Sequence, residues 1–191
     1  MKDLQFITLD ENFNINSIIY PTNIQWNRKY YEPGSFSIQL PVNQYDTAMK
    51  YVYTKDRPEM GIIKQINYSI DQSGFESVQI SGYFLEYELN DKIIYPTFTA
   101  NYNHVEDAIT DLVTKYKEDI PLLTVKESQH TGTDSVFQTI GDQLGNYAYY
   151  ILTLHQSSYR VKYDYEKNKK IFTYNPQFCG NVQKKTTNTT P

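Results

Sequence analysis

The predicted fold depends on NIQWNRKYYEPGSFSIQLP, residues 23–41. Side chains in residues 24–31 and again in residues 35–41 alternate in character, and a period of two residues places neighbours on opposite faces of a strand. Pro33 presets φ for a turn and Gly34 accepts positive φ, so the chain can reverse between the two runs. We therefore predict an antiparallel hairpin that is closed at Pro33-Gly34.

Length and composition favour a β-rich globular chain. A length of 191 residues suffices for one large or two small cores, and 15% aromatic residues, with 19 Tyr, are typical of pleated sheets. The net charge of −4 offers no basic surface for nucleic acid, so no direct nucleic-acid recognition is expected. No membrane anchor or secretory signal is indicated, and the single cysteine, Cys179, excludes an intrachain disulfide.

Further elements are predicted in the first half of the chain from the same local patterns. Alternation predicts strands at residues 4–9, 17–20, 62–70 and 75–81, the last two joined by a turn at residues 71–74. A short helical turn that leads into a strand or a loop is predicted at residues 45–53. Gly82 is predicted to end the preceding strand, and a two-turn helix is predicted at residues 83–90.

The second half changes character near Asn103. Asn103 is predicted to cap a helix over residues 105–116, with Glu106 completing the reciprocal cap. By the same pattern, a second helix is predicted to begin at Ser135 and to extend through Tyr147. A short strand is predicted at residues 122–126 between them. Strands at residues 149–154, 159–165 and 170–174 are expected to form a three-stranded meander, and residues 176–191 a linker or disordered end.

Nothing in the sequence predicts a catalytic, metal or cofactor-binding site. His104, His130 and His155 are widely spaced and have no ligand-like partner, and phosphate-loop, nucleophile-elbow and zinc-helix motifs are absent from the sequence. Carboxylates are scattered, at Asp46, Asp56, Asp71, Glu86, Asp91 and Glu106. We therefore expect a protein that is not an enzyme and that needs no cofactor.

The surplus of tyrosine has two interpretations, which the sequence leaves open. Tyrosines at alternating strand positions are typical of a core or a subunit interface, where an apolar ring with one polar tip is favoured. The same rings, or Trp26 in a groove, would also suit stacking against sugars. The tyrosines concerned are Tyr20, Tyr30, Tyr31, Tyr51, Tyr53, Tyr149, Tyr150, Tyr159, Tyr163 and Tyr165.

Three segments resemble the tail-hub proteins of long-tailed bacteriophages, which include the baseplate proteins called tail-associated or minor structural proteins. The first contains Trp26, the pair Tyr30-Tyr31, PGSF at residues 33–36 and Leu40-Pro41. The second is GIIKQI at residues 61–66, which is similar to the glycine-led strand of that family. The third is ISGYFLEYELNDKII at residues 80–94, where Tyr83 and Glu88 replace the family's usual Arg and second Leu.

The resemblance implies a fold and a role. The implied fold is β-rich α+β: an antiparallel, β-barrel-like hub domain at residues 1–102, a small α/β insertion with two helices and returning strands at residues 103–175, and a linker at residues 176–191. The implied role is a baseplate hub adaptor of a phage or prophage tail tip that joins the tail tube to tip proteins. Such a hub is expected to be a homotrimer in the virion, made in the bacterial cytoplasm.

Two alternatives remain beside the hub adaptor: a receptor- or carbohydrate-binding module of a phage tail, and a cell-wall hydrolase. Relatives in the resembling family are usually longer, and their cell-wall enzymes follow this region. We therefore expect the natural chain to continue past Pro191.

Overall fold

A curled antiparallel sheet of seven strands forms the first part of the protein in a computed structural model that describes residues 5–55 and 57–176. The strands are β1 Phe6–Leu9, β2 Ile15–Ile19, β3 Asn23–Asn27, β4 Ser35–Pro41, β5 Tyr51–Tyr53, β6 Met60–Ile70 and β7 Glu76–Phe84. Their order is β2-β1-β5-β6-β7-β4-β3, so the ladder stays open at β2 and β3 among the described residues. The sheet nevertheless curls like a barrel. The curl brings the ring of Phe6 in β1 against that of Trp26 in β3, with centroids 5.5 Å apart.

The predicted hairpin at residues 23–41 is confirmed, with Trp26 opposite Phe36 in an antiparallel pair. Its first strand is shorter than predicted and ends at Asn27. The ladder stops there because Arg28 turns away to pair with Glu59, with Nε 2.7 Å from Oε1 and Nη2 2.8 Å from Oε2. The chain then crosses as a loop to Gly34.

The second hairpin, β6 with β7, is also confirmed, but the prediction that Gly82 ends its strand is wrong. β7 continues to Phe84, and Gly82 pairs with Phe36 on one side and Ile63 on the other. A Cβ atom at Gly82 would lie 1.9 Å from the carbonyl oxygen of Ile62, beside a bulge in β6. Glycine is therefore required here by the close approach of two backbones.

Two short 3-10 helices replace the helical turns that were predicted in this half. One is Val42–Gln44, which lies before the predicted position and is followed by β5. The other is Leu85–Asp91, which stands in the place of the predicted two-turn helix. Both are shorter or tighter than an α-helix, in keeping with the low stability of isolated short helices.

Two small sheets and two α-helices form the second part. Their bounds are β8 Phe98–Tyr102, α1 Val105–Tyr116, β9 Leu123–Val125, β10 Ser135–Thr139, α2 Leu144–Leu154, β11 Ser158–Asp164 and β12 Lys169–Asn175. β8 pairs with β10, and β12 lies between β11 and β9. The fold is therefore β-rich α+β, as predicted.

The prediction for residues 135–154 is correct in its second helix only over residues 144–147, which belong to α2, and is wrong on either side. Residues 135–139 form β10 rather than a helix, because each of them pairs with a residue of β8. Residues 149–154 belong to α2 rather than a strand: Leu144, Ala148 and Leu152 are buried at a spacing of four residues. The run is apolar on nearly every side, so its alternation was not a reliable sign of a strand.

The meander and the first helix cap also differ from the prediction. β11 and β12 form the expected hairpin, but the third strand is β9, which is parallel to β12. Helix α1 is confirmed; its N-cap is His104 rather than Asn103, with no side-chain capping bond. Glu106 instead accepts hydrogen bonds from the backbone N–H and the hydroxyl of Thr131 (3.0 and 2.6 Å).

Two apolar clusters stabilise these parts. One lies inside the curl of the large sheet and includes Phe36, Ile38, Leu40, Val78 and Ile80. The other joins the opposite face of β1, β5 and the start of β6 to both helices and the small sheets. The domain boundary at residue 102 stays a prediction, and residues 177–191 of the predicted linker lie outside the described residues.

Candidate subunit interface

The outer half of β6 has an unpaired edge. β5 pairs with β6 only over Met60–Ile62, whereas β7 pairs with β6 along nearly its whole length. No strand among the described residues therefore pairs with residues 64–70 on the side away from β7. An unpaired edge presents backbone N–H and C=O groups that another strand can satisfy. We call residues 64–76, which include this edge and the turn after it, the β6 arm.

The β6 arm also carries an uncovered apolar row. Ile66 and Tyr68 pair with the buried Ile80 and Val78, so they lie on the face that forms the core inside the curl. Ile66, Tyr68 and Ile70 are nevertheless 39%, 64% and 69% exposed, because no strand among the described residues lies beyond them. Tyr45 packs beside the row, with its ring edge-on to Tyr68 at 5.7 Å. A row of this kind next to a free edge is typical of a protein interface.

The tip of the β6 arm is held rigid by Asp71. Its Oδ1 atom accepts hydrogen bonds from the backbone N–H groups of Ser73 and Phe75 at 2.8 and 3.0 Å, and from the Ser73 hydroxyl at 2.6 Å. These bonds, first among them that of the Ser73 hydroxyl, lower the pKa of Asp71. Gly74 supplies the positive φ of 83°. The arm is thus preorganised, which reduces the entropy cost of docking.

Strands β3, β4, β7 and β6 lie side by side, and their face opposite the apolar row carries uncharged polar side chains at twelve neighbouring positions. They are Asn23, Gln25 and Asn27 of β3, Ser35, Ser37 and Gln39 of β4, Ser77, Gln79 and Ser81 of β7, and Gln65, Asn67 and Ser69 of β6. All except Ser77 are exposed or half-buried. We call this surface the Ser/Asn/Gln face.

Hydrogen bonds join side chains of the Ser/Asn/Gln face across the strands. Gln39 donates to Ser77 at 3.0 Å and Gln79 donates to Ser37 at 2.8 Å, while the hydroxyls of Ser69 and Ser77 lie 2.8 Å apart. Cross-strand pairs of this kind stabilise a sheet. The face is therefore polar and uncharged, and part of its hydrogen-bonding capacity is satisfied by bonds between its own side chains.

The loop between β3 and β4 is fastened to β11. Arg160 donates to the carbonyl oxygen of Lys29, and the Ser158 hydroxyl donates to that of Tyr30. Behind Arg160 lies the buried carboxyl group of Glu86, with Oε1 3.9 Å from Nη1 and Oε2 without a hydrogen-bond partner among the described residues. Burial raises the pKa of Glu86 to about 7.

A second buried charge, Lys170, is paired. Its Nζ atom lies 2.8 and 2.6 Å from the carboxylate oxygens of Glu88 and 4.8 Å from the centre of the Phe13 ring. Burial lowers the pKa of Lys170, and the charge of Glu88 acts in the opposite direction. No local pattern predicts this pair, since its members are far apart along the chain. It joins the 3-10 helix Leu85–Asp91 to β12.

The histidines have partners that sequence reasoning missed. The spacing of His130 in the sequence indicated no partner, but its Nδ1 atom lies 2.9 Å from Oδ1 of Asp107. Ser128 donates to Asp107 rather than to the ring of His130, so the three groups lack the order of a nucleophilic triad. The group fastens residues 128–130 to helix α1. His155 lies 2.8 Å from the Thr133 hydroxyl.

The described residues contain neither a candidate metal site nor a helix that could span a membrane. Within residues 5–55 and 57–176, no three His, Cys, Asp or Glu side chains form a group that could hold a metal ion. None of the helices in this part of the chain has the length and apolar character to cross a membrane.

Comparison of the structure with solved structures identifies phage tail proteins. Prophage tail protein gp18 from Listeria monocytogenes EGD-e matches with a TM-score of 0.57 and 14% identity, over 88% of this chain and 50% of that chain. The tail protein from Neisseria meningitidis MC58 matches with a TM-score of 0.57 and 13% identity, over 89% and 50%. The 43 kDa tail protein of prophage MuSo2 from Shewanella oneidensis matches with a TM-score of 0.51 and 15% identity, over 88% of this chain and 52% of that chain.

The fold of this chain is therefore that of phage tail proteins, which confirms at the level of fold the resemblance in residues 23–94. The chain spans about half the length of these solved proteins. A scan against protein-family models finds no match, and a search of curated proteins finds no significant relative.

Proposed function

We propose that this chain is a structural subunit of a phage or prophage tail tip, a baseplate hub adaptor that joins the tail tube to tip proteins. The observation that carries the proposal is the β6 arm, a rigid free strand edge beside an exposed apolar row, in a fold shared with tail proteins. The proposed role is structural and not enzymatic. The proposed location of the protein is the virion tail tip, and the proposed place of synthesis is the bacterial cytoplasm.

The proposed assembly is a homotrimeric ring. A closed ring requires two different surfaces on each subunit, because every subunit contacts the next head to tail. The β6 arm supplies one such surface. The edge strands β2 and β3 supply candidates for the other, since each has one unpaired side among the described residues. Pairing between edges would satisfy the backbone groups and cover Ile66, Tyr68 and Ile70.

The Ser/Asn/Gln face suits the wall of the central opening of such a ring. Its twelve side chains are uncharged, so they neither attract nor repel the phosphates of passing DNA. Several of them hydrogen-bond to one another, which leaves fewer groups to bind a passing tape-measure protein. The face would thus let both polymers slide past without holding them.

The experiment is the native mass of the full-length gene product across a concentration series, with particle images of the same samples. We expect three-fold rings, alone or with the tail-tube protein. The double variant Tyr68→Glu/Ile70→Glu places two charges on the apolar row and is expected to raise the dissociation constant at least ten-fold, roughly 1.4 kcal/mol. Its circular dichroism should match the wild type, because both side chains are exposed.

The matched control is Val136→Glu, since Val136 is 74% exposed on β10 and lies outside the β6 arm. It should assemble like the wild type. Rings that form equally well in the arm variant would refute the role of the β6 arm. A monomer at every concentration, both alone and with the tube protein, would refute the hub adaptor.

A further inference from the structure

A cleft of about 640 Å³ is lined by residues 53–55 and 57–60 on one side and by residues at the end of β11 on the other. Its volume falls within the range of small-molecule sites. The cleft is distant from the tip of the β6 arm, because Met60 in its wall and Ile70 are at opposite ends of one strand, about 30 Å apart when extended. It is therefore separate from the tip of the β6 arm.

Three tyrosine rings form one wall of this cleft, and each is supported from behind. Tyr163 stacks on Phe13 with ring centroids 5.5 Å apart, and its hydroxyl donates to Asn168 at 2.6 Å. Tyr165 packs against Tyr53 at 5.7 Å and against Tyr163 at 6.4 Å. Tyr165 remains 47% exposed. The rings are thus fixed before a ligand arrives, which reduces the entropy cost of binding.

The rim carries charges of both signs. Lys55 and Arg57 contribute cations, and Glu59 and Glu166 contribute anions. Glu59 is already engaged by Arg28, whereas Lys55, Arg57 and Glu166 border the opening. A phosphate or an ammonium group would meet like as well as opposite charges here. Hydroxyl groups both donate and accept hydrogen bonds, so they can pair with every member of this rim.

We propose that the cleft binds a neutral saccharide, with Tyr163 and Tyr165 as the stacking wall and the charged rim as the hydroxyl-binding groups. The face of an aromatic ring is partially negative and attracts the partially positive C–H groups on the apolar side of a pyranose. This activity goes beyond the structural role and does not depend on it.

The test is saturation-transfer difference NMR with chitotetraose and maltotetraose as probes and tetraglycine as the peptide comparison. Transfer to the ring C–H protons of at least one saccharide is expected, and none to tetraglycine. Tyr165→Ala should weaken binding at least ten-fold, whereas Tyr165→Phe, which keeps the ring, should bind like the wild type. Tyr20→Ala is the matched control, because Tyr20 is 46% exposed on another surface.

Each outcome decides the proposal. No transfer to either saccharide, equal transfer to tetraglycine, or transfer that survives in Tyr165→Ala would overturn it. A folding defect is detected by circular dichroism, and Tyr163→Ala then provides a second variant with the same expectation. The native mass of Tyr165→Ala should equal that of the wild type, so loss of sugar binding is distinguishable from loss of assembly.

Discussion

Replacement of Glu86 by Gln should stabilise the protein above pH 7 and leave its stability unchanged in acid. The carboxyl group is fully buried on the 3-10 helix Leu85–Asp91, and its closest cation, Arg160, is 3.9 Å away. Arg160 is also shared with the carbonyl oxygens of Lys29 and Tyr159. The ionised form of Glu86 is therefore poorly compensated, and burial raises its pKa from 4.5 to about 7.

The sign and size of the effect follow from proton linkage. Because the pKa of Glu86 is higher in the folded state, that state binds the proton more tightly, and the gain in stability is complete below pH 4.5 and lost as the pH rises through 7. A shift from 4.5 to about 7 corresponds to about 3 kcal/mol. The neutral amide of Gln avoids this cost, so the variant should be more stable than the wild type by about 3 kcal/mol at pH 8.5.

Urea unfolding of both proteins from pH 4 to pH 8.5 measures this directly. The difference in free energy of unfolding between Glu86→Gln and the wild type cancels the titration of all other groups, so it should rise with pH between about 4.5 and 7. Glu118→Gln, at an exposed position after α1, is the control and should give a flat difference. If Glu86→Gln is the less stable protein at pH 8.5, the Arg160 pair outweighs desolvation and the reasoning is refuted.

Two further changes test the interior by the same unfolding measurement. Lys170→Met should lower the free energy of unfolding by about 3–5 kcal/mol, because the carboxylate of Glu88 loses its cationic partner. The double variant Lys170→Met/Glu88→Gln should recover most of that loss. Equal losses in the single and the double variant would contradict this. Gly82→Ala should cost about 2–3 kcal/mol because its Cβ meets the Ile62 carbonyl oxygen at 1.9 Å. Gly74→Ala, with open space but a φ of 83°, should lower the free energy of unfolding by only about 1 kcal/mol, and a loss at Gly82 no larger than this would contradict the crowding there.

Local hairpins were predicted correctly because their information is local. The β3–β4, β6–β7 and β11–β12 pairs each combine alternating side chains with a turn sequence, and each forms as expected. The same holds for α1, whose apolar residues recur at intervals of three and four. The tail-hub resemblance in residues 23–94 likewise rests on these local segments, and the solved structures confirm it as a fold.

Elements that depend on distant partners were predicted poorly. Ser135–Thr139 is a strand only because β8 pairs with it, and its own apolar spacing favoured a helix equally well. Leu144–Leu154 is apolar on most sides, so neither period dominated. The parallel pairing of β9 with β12 has no local sign at all. In each case, a contact distant in sequence decided between alternatives that local propensity left nearly equal.

The candidate site divides in the same way. The sequence by itself determined that Ile66, Tyr68 and Ile70 share one face of a strand and that their neighbours Gln65, Asn67 and Ser69 face the other way. Alternation does not say whether anything covers a face. Only the tertiary structure decided that, because β5 is three residues long and no other strand in residues 5–55 and 57–176 pairs with the rest of β6 on that side. The same long-range packing buried Glu86 against Arg160 and gathered the tyrosines of β5 and β11 into one cleft, since those strands meet only when the chain has folded.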